Sequence, residues 1–322
     1  MMSLPEFSKK QVVFVFLTLG EKVSFGNDNL IVKDIYGKIR LQCTCYRIYM
    51  LCIVGSFTLT SGIIQRSHKF AFPIYLLTNS FKVYDKLGSK MEGNVVLRRK
   101  QYAYNSLDLA KQIVINKIEN QNSVLISKRQ KSKELTLAVD RIQSFISLIK
   151  LQKLGLHELL SYEGNSAKIY FSNHFDSFEW NGRKPRIKHD YVNSCLDIGY
   201  SMLFNFVEVL LDMYGFDVYC GVLHKEFYMR KSLVCDIVEP FRPIIDIQVK
   251  KSINLKQFKK EDFNNIGGSY KLKWDYNKKY VSIFLKSILE YKEDIFLYIQ
   301  SYYRNFMKGN PAELYQAFKL RL

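Results

Sequence analysis

No glycine-rich phosphate cradle occurs in the 322 residues. Neither GxGxxG nor GxxxxGK[ST] can be placed on the chain, which removes chemistry fuelled by a bound nucleotide. There is no GxSxG elbow, and no cysteine has an evident histidine partner for thiol chemistry. The six cysteines (Cys43, Cys45, Cys52, Cys195, Cys220, Cys235) contain no CxxC pair and follow no secretory signal, so they read as reduced thiols of a cytoplasmic protein. Cys43 and Cys45 share a strand face but lack the partners zinc needs. Long uncharged runs are also scarce. Ile48 to Gln65 is the one stretch resembling a membrane span, and Gly55, Gly62 and its Ser and Thr residues favour a buried strand followed by a helix, so no membrane partner is expected. No internal repeat or low-complexity tract is apparent.

Negative charge is in short supply as well. Asp and Glu number 30 against 48 Lys and Arg, which leaves a net charge of +18 and favours a polyanionic partner. The excess is unevenly spread: residues 1–85 carry +5, 86–161 carry +8 and 250–322 carry +8, whereas 162–249 holds nine basic and twelve acidic groups and sums to −3. An acidic island in a basic chain suits carboxylates gathered to hold a cation beneath a phosphate backbone, or simply helix surfaces that vary. With 48% hydrophobic and 15% aromatic residues, the composition is that of a packed protein.

From Lys10 to Lys82 the pattern is short, β-branched and punctuated by turns. QVVFVFLTL (11–19), EKVSF, NLIVKD, KIRLQC, IYMLCIV and FPIYLLT (72–78) read as strands, with a short helix capped by Thr58 running to about His68. This predicts a small, mainly β sandwich domain over 1–85. The polar DKLGSKMEGN connection gives a linker over 86–94. The chain then turns helical over 95–322, so the fold class is α+β, a β-rich amino-terminal domain followed by a larger all-α domain. One helix runs from Leu107 to about Glu119; after the loop SKRQKSK (127–133), Leu135, Val139, Ile142, Ile146 and Ile149 mark the core stripe of another. Asp190 caps a helix ending at Gly215, Ser232 caps the next, and Pro240 ends or kinks it. A basic connection (250–260), a Gly267-Gly268 turn and helices near 278–292 and 294–308 follow.

Chemistry gathers between His224 and Asp246. His224, Asp236 and Glu239, with the separate Glu163, supply an imidazole and up to three carboxylates, a mixed nitrogen and oxygen set that suits Mn²⁺ or Mg²⁺. Asp236 and Glu239 lie three residues apart on neighbouring helix surface. Glu163 stands among apolar neighbours, where an ionised carboxylate is costly unless paired or bound to metal. Spacing alone leaves these residues equally readable as ordinary surface acids. His68, His157, His174 and His189 read as surface or core histidines.

Three segments carry a resemblance. SYEGNSAKIYF (161–171), RKPRIKHDYVNSCLDIGYSML (183–203) and GVLHKEFYMRKSLVCDIVEPFRPIID (221–246) resemble, in order and separation, the Glu-Gly, Asp-x-x-Asn and His/Asp-x-x-Glu-Pro-Phe-Arg-Pro motifs of the CRISPR-associated spacer integrases, the first of the Cas adaptation proteins. NVVLRRKQY (94–102) resembles the segment that opens their helical domain, and FDVYCGVLH lacks a proline common in the family's loop. The resemblance implies that Glu163, His224 and Glu239 are catalytic and hold Mg²⁺ or Mn²⁺, that Asp236 supports them or ligates in turn, and that Arg242 braces the site or meets a phosphate. It implies a helical catalytic domain, a homodimer, assembly with the second Cas adaptation protein, and double-stranded DNA (protospacer and CRISPR repeat) as partner. The implied reaction is attack of a 3′-hydroxyl on a phosphodiester at the repeat. Candidate DNA contacts are Arg98, Arg99, Lys128, Arg129, Lys131, Lys133, Lys259 and Lys260, with Tyr102 or Tyr191 as stacking partners. A structure-selective nuclease and a non-catalytic basic scaffold are the rival readings.

Overall fold

Seven consecutive apolar residues, Ile48–Val54, have no polar alternation and belong in a strand covered on both faces. The computed structural model describes residues 2–58, 60–78, 81–88, 94–176, 178, 180, 182–184 and 188–322. It places that run at the centre of the amino-terminal part. After a short helix α1 (Leu4–Ser8), strands β1 (Gln11–Leu17), β2 (Lys22–Gly26), β3 (Asn29–Lys33), β4 (Ile39–Thr44) and β5 (Ile48–Gly55) lead through α2 (Ser61–Lys69) to β6 (Pro73–Leu77) and β7 (Val83–Gly88). One sheet has the order β1-β5-β6-β7; β1, β5 and β6 run parallel, with Phe14 opposite Cys52 and Cys52 opposite Tyr75, and β7 closes the edge antiparallel. The other sheet is the antiparallel meander β2-β3-β4.

Period-two alternation in β5 decides what the sheet faces. Leu51 and Ile53 point into a core shared with Val13, Val15, Leu30, Val32 and Ile63, which joins the two sheets and α2 into the expected sandwich. Met50, Cys52 and Val54 point the other way and join the largest core, with Leu203, Phe206 and Phe296 from the helical part. Tyr49 donates its hydroxyl to the Phe206 carbonyl at 3.0 Å. The β-rich and helical parts are thus welded through the back of the sheet.

Several boundaries differ from expectation. The N-cap of α2 is Thr60, not Thr58, because Ser61 is the first helical residue. β7 covers Val83–Gly88, so the first three positions of the expected linker are ladder residues; 89–93 lie outside the described residues. Ser232 is the first helical residue and not the cap, a position Lys231 takes.

The helical part runs α3 (Val95–Ala103), α4 (Asp108–Ile126), α5 (Lys133–Leu151), α6 (Leu156–His174), α7 (Tyr191–Tyr214), α8 (Ser232–Val238) and α9 (Arg242–Asn254). A hairpin of β8 (Phe263–Ile266) and β9 (Ser269–Leu272) precedes α10 (Asn277–Glu290) and α11 (Lys292–Lys308). The hairpin was not foreseen in this helical region. Gly267 and Gly268 both have positive φ (59° and 78°), as its two-residue turn requires. α4 continues seven residues beyond the expected Glu119, and α9 absorbs the first half of the expected connection at 250–260.

α7 is the axis of this part. The Asp190 carboxylate accepts the Asn193 N–H at 2.6 Å as its N-cap, and Gly215 ends it with φ 84°. Long and apolar enough to meet the length and hydropathy of a membrane span, it corrects the reading of Ile48–Gln65 as the one such stretch; 83% of its apolar window is buried, as in a core helix. At its crossing with α9 and α10, a Cβ on Gly199 would lie 2.4 Å from Ile245 Cγ2 and 2.8 Å from Phe284 Cε1. Gly199→Ala should therefore cost about 1–3 kcal/mol through overpacking. Urea unfolding tests this; an unchanged midpoint would mean that the helices do not cross so closely.

Candidate active site

Burying a carboxylate without a partner is costly, and the turn after α8 does bury one. Pro240 cannot continue the α8 hydrogen-bond ladder, so residues Glu239–Phe241 tighten into a 3-10 turn before α9 resumes with Pro243 in its first turn. Glu239 is 5% exposed there. Two cations meet it: Lys117 Nζ from α4 lies 2.6 Å from Oε2, and Arg242 Nε lies 3.0 Å from the same oxygen. Lys117, 7% exposed, also pairs with Glu163 Oε1 on α6. Positions far apart in the chain therefore converge on one ammonium. Burial pushes the Glu239 carboxyl upward, but Arg242 and Lys117 overcome it and hold its pKa at about 2. Burial likewise pulls Lys117 down, and Glu239 and Glu163 more than restore it, so its pKa is raised.

Asp236, three residues before Glu239, faces inward and is fully buried. One of its oxygens accepts the N–H groups of Val222 and Leu223 at 2.6 and 2.9 Å. The other accepts the His224 N–H at 3.0 Å and faces His224 Nδ1 at 2.6 Å. A carboxylate there places the imidazole proton on Nδ1 and leaves Nε2 with a free lone pair. The loop closes so tightly that a Cβ on Gly221 would come within 2.7 Å of Asp236 Oδ2.

His224 and Arg242 line a cleft of about 830 Å³ whose wall also holds Lys82, Arg183, Lys188, Arg230 and Lys231. Arg242 and Arg183 both approach the ring of Tyr200, at 4.7 and 5.3 Å from its centroid. The Tyr200 hydroxyl donates to Asp246, which is fully buried on α9.

Of the residues singled out in the sequence, Glu163 and Glu239 meet at Lys117, His224 and Asp236 pair, and Arg242 joins Glu239. Among the described residues, no three His, Cys, Asp or Glu side chains form a ready metal-ligating cluster. The cluster nonetheless fits a cation, because both carboxylates already converge on a positive charge. None of the eight basic candidates lines the cleft. Arg98 reaches the Gly215 carbonyl, Lys128 is bound to Asp176 and the Asn173 carbonyl, and Lys131 folds back on the Ile126 carbonyl; Arg99, Arg129, Lys133, Lys259 and Lys260 are exposed. The Tyr102 hydroxyl donates to Asp217, and the half-buried Tyr191 ring lies 6.3 Å from Phe263. His174 is a core residue, and His68, His157 and His189 are exposed, as expected.

Sequence reasoning missed Lys117. Its signal is the pair of i, i+4 polar couples, Asn116/Asn120 and Lys117/Gln121, which interrupt the apolar run Ile113–Ile118 of α4 and continue past it. All four are buried. Asn116 and Asn120 hold the carboxyl-terminal backbone at Phe318 and Leu320, and Asn120 also reaches the Pro240 carbonyl at 3.3 Å.

Lys117→Met strips one cation from two carboxylates and should cost about 3–5 kcal/mol in urea unfolding. Adding Glu163→Gln and Glu239→Gln should recover much of that loss, whereas a single variant of wild-type stability would dissolve the cluster. Burial pushes the Asp246 carboxyl up to about 6, against the hydroxyls of Tyr200 and Tyr170 and the charge of Arg242. The folded chain thus keeps a proton that the unfolded chain has lost, so stability falls as pH rises from 3.8 to about 6. Asp246→Asn should remove up to about 1.4 kcal/mol per pH unit of that slope; parallel stability–pH profiles for the two proteins would contradict it.

A family model described as CRISPR associated protein Cas1 matches residues 14–286. A CRISPR-associated endonuclease Cas1 of Leptospira interrogans serogroup Icterohaemorrhagiae serovar Lai (strain 56601) is 35% identical over 176 residues, 51% of this chain and 69% of that protein. A casposase bound to integration product shares the fold with a TM-score of 0.77 at 19% identity, over 97% of this chain and 96% of that one. A Cas6-RT-Cas1–Cas2 complex matches with a TM-score of 0.80 at 19% identity, over 98% of this chain and 36% of that much longer chain. With its match running from the first strand into α10, the chain belongs to the CRISPR associated protein Cas1 family.

Proposed function

We propose that this chain is a metal-dependent DNA integrase that inserts captured DNA fragments at a CRISPR repeat. The observation that carries the reading is the meeting of Glu163 and Glu239 around one positive charge, joined through Arg242 to a cation-lined cleft into which His224 also opens. Glu163, Glu239 and the Nε2 of His224 would hold Mg²⁺ or Mn²⁺. Such an ion supplies Lewis acidity at a phosphodiester and lowers the pKa of an attacking hydroxyl.

The rest falls to the protein. Asp236 holds the imidazole with Nδ1 protonated, so Nε2 stays available. Arg242 balances Glu239 and faces the cleft, where it can meet a phosphate oxygen. Lys82, Lys188 and Arg230 give the strand its electrostatic seat, beside Arg183 and Lys231, which Asp197 and Glu208 already pair. In the reaction a 3′-hydroxyl oxygen attacks phosphorus, the bond to the leaving 3′-oxygen breaks, and that oxygen gains a proton. One phosphodiester replaces another, so no nucleotide fuel is consumed, in keeping with the missing phosphate cradles. The similar casposase, solved with its integration product, supports the transfer reading. The Cas6-RT-Cas1–Cas2 complex supports the second adaptation protein as a partner; a homodimer and the duplex DNA of protospacer and repeat complete the proposed assembly.

The name endonuclease on the Leptospira relative favours a second reading, cutting of branched DNA with water as nucleophile. The two separate cleanly. Glu163→Gln and His224→Ala should each lower joining of a labelled duplex to a repeat-bearing plasmid by at least about 100-fold while DNA binding persists. A blocked 3′-end should stop joining and spare cutting. Joining at wild-type rate by either variant would remove those residues from the site.

A further inference from the structure

Between His224 and α8 the chain displays three consecutive apolar side chains to water: Phe227, Tyr228 and Met229 are 73%, 85% and 76% exposed. Clustered exposure of this kind marks a contact surface more often than a solvated loop. The tip is also built, not slack. Arg230 N–H returns to the Phe227 carbonyl at 2.9 Å, Met229 takes the left-handed φ of 57° that closes the turn, and the Ser232 hydroxyl reaches back to the Lys225 carbonyl at 3.2 Å. Both ends of the loop are anchored. Asp236 holds His224, and Glu208 accepts from Lys231 Nζ at 2.8 and 2.9 Å. The tip's position is therefore tied to the imidazole.

We propose that Phe227, Tyr228 and Met229 form a stacking wedge that engages nucleobases of the DNA strand lying in the basic cleft, next to the reacting phosphodiester. The inference rests on the DNA-binding reading of that cleft. Met229, Arg230 and Lys231 are part of the cleft wall, so the apolar tip continues directly from the cationic surface. Lys225 and Arg230 outweigh the single acid of the loop, Glu226, which suits a polyanion, while Lys231 is already held by Glu208. Aromatic faces accept any base and leave the phosphates to the cations, so the tip would unstack DNA without reading its sequence. These residues are positioning residues for the substrate.

The test uses the full chain and duplexes with a 3′ overhang, each carrying one 2-aminopurine at a different position around the junction. Wild type should raise fluorescence at one or two adjacent positions, and Glu163→Gln should do the same, so failure of the catalytic reading leaves this readout intact. The triple variant Phe227→Ser, Tyr228→Ser, Met229→Ser should lose the signal and weaken binding about tenfold, with the salt dependence of binding unchanged because no phosphate contact is removed. Tyr228→Trp should keep the signal. A triple variant that unstacks the same positions as wild type overturns the proposal, as does a wild type that brightens none. Loss of self-association by light scattering in the triple variant, with the fluorescence signal unaltered, would instead assign the tip to a second copy of the chain.

Discussion

The carboxylate of Glu239, buried at the kink between α8 and α9, is the constraint on which the rest of the structure turns. It cannot stay ionised in the interior without cations, and its two partners come from different elements, Lys117 from α4 and Arg242 from the start of α9. Satisfying that charge pins α4 against the turn, and α4 brings with it the asparagines that fasten the Pro240 carbonyl and the carboxyl-terminal backbone. Lys117 then draws in Glu163 from α6. The charge cluster and the packing of four helical segments are one arrangement.

Two acids three residues apart do opposite work. Asp236 turns into the protein and spends both oxygens on the His224 loop; Glu239 turns toward the cations. Spacing placed them on neighbouring surface but could not say which faced the His224 loop and which the cations, since that depends on what packs against α8 and the turn after it. The back of the four-stranded sheet settles a second matter: because β5 is apolar on both faces, the β-rich part is packed against α7, and Lys86 of β7 reaches Glu208 of α7, the carboxylate that also holds Lys231 at the cleft.

Much of this was legible. The strands of the amino-terminal part, the Asp190 cap, the Gly215 terminus, the Pro240 kink and the core stripe of α5 follow from local rules that act over a few residues. Misreadings arose where local rules were outvoted. Lys128 and Arg98 looked like free cations and are tied to neighbouring backbone, because a long flexible side chain pairs with whatever carbonyl the fold brings near. A hairpin formed among helices once Gly267 and Gly268 supplied the positive φ of a two-residue turn.

By itself the sequence determined the order of most elements, the Asp190 cap, the Gly215 terminus and the Pro240 kink, the excess of positive charge and the motifs at Glu163, His224 and Glu239, since each is written in residue type and near-neighbour spacing. Only the tertiary structure decided that Lys117, 46 positions before Glu163, stands between the two carboxylates, and that the cleft takes its cations from Lys82, Arg183, Lys188, Arg230, Lys231 and Arg242. Contacts across such separations carry no local period; they are fixed by which helix faces can be buried together and by the need of every buried charge for a partner.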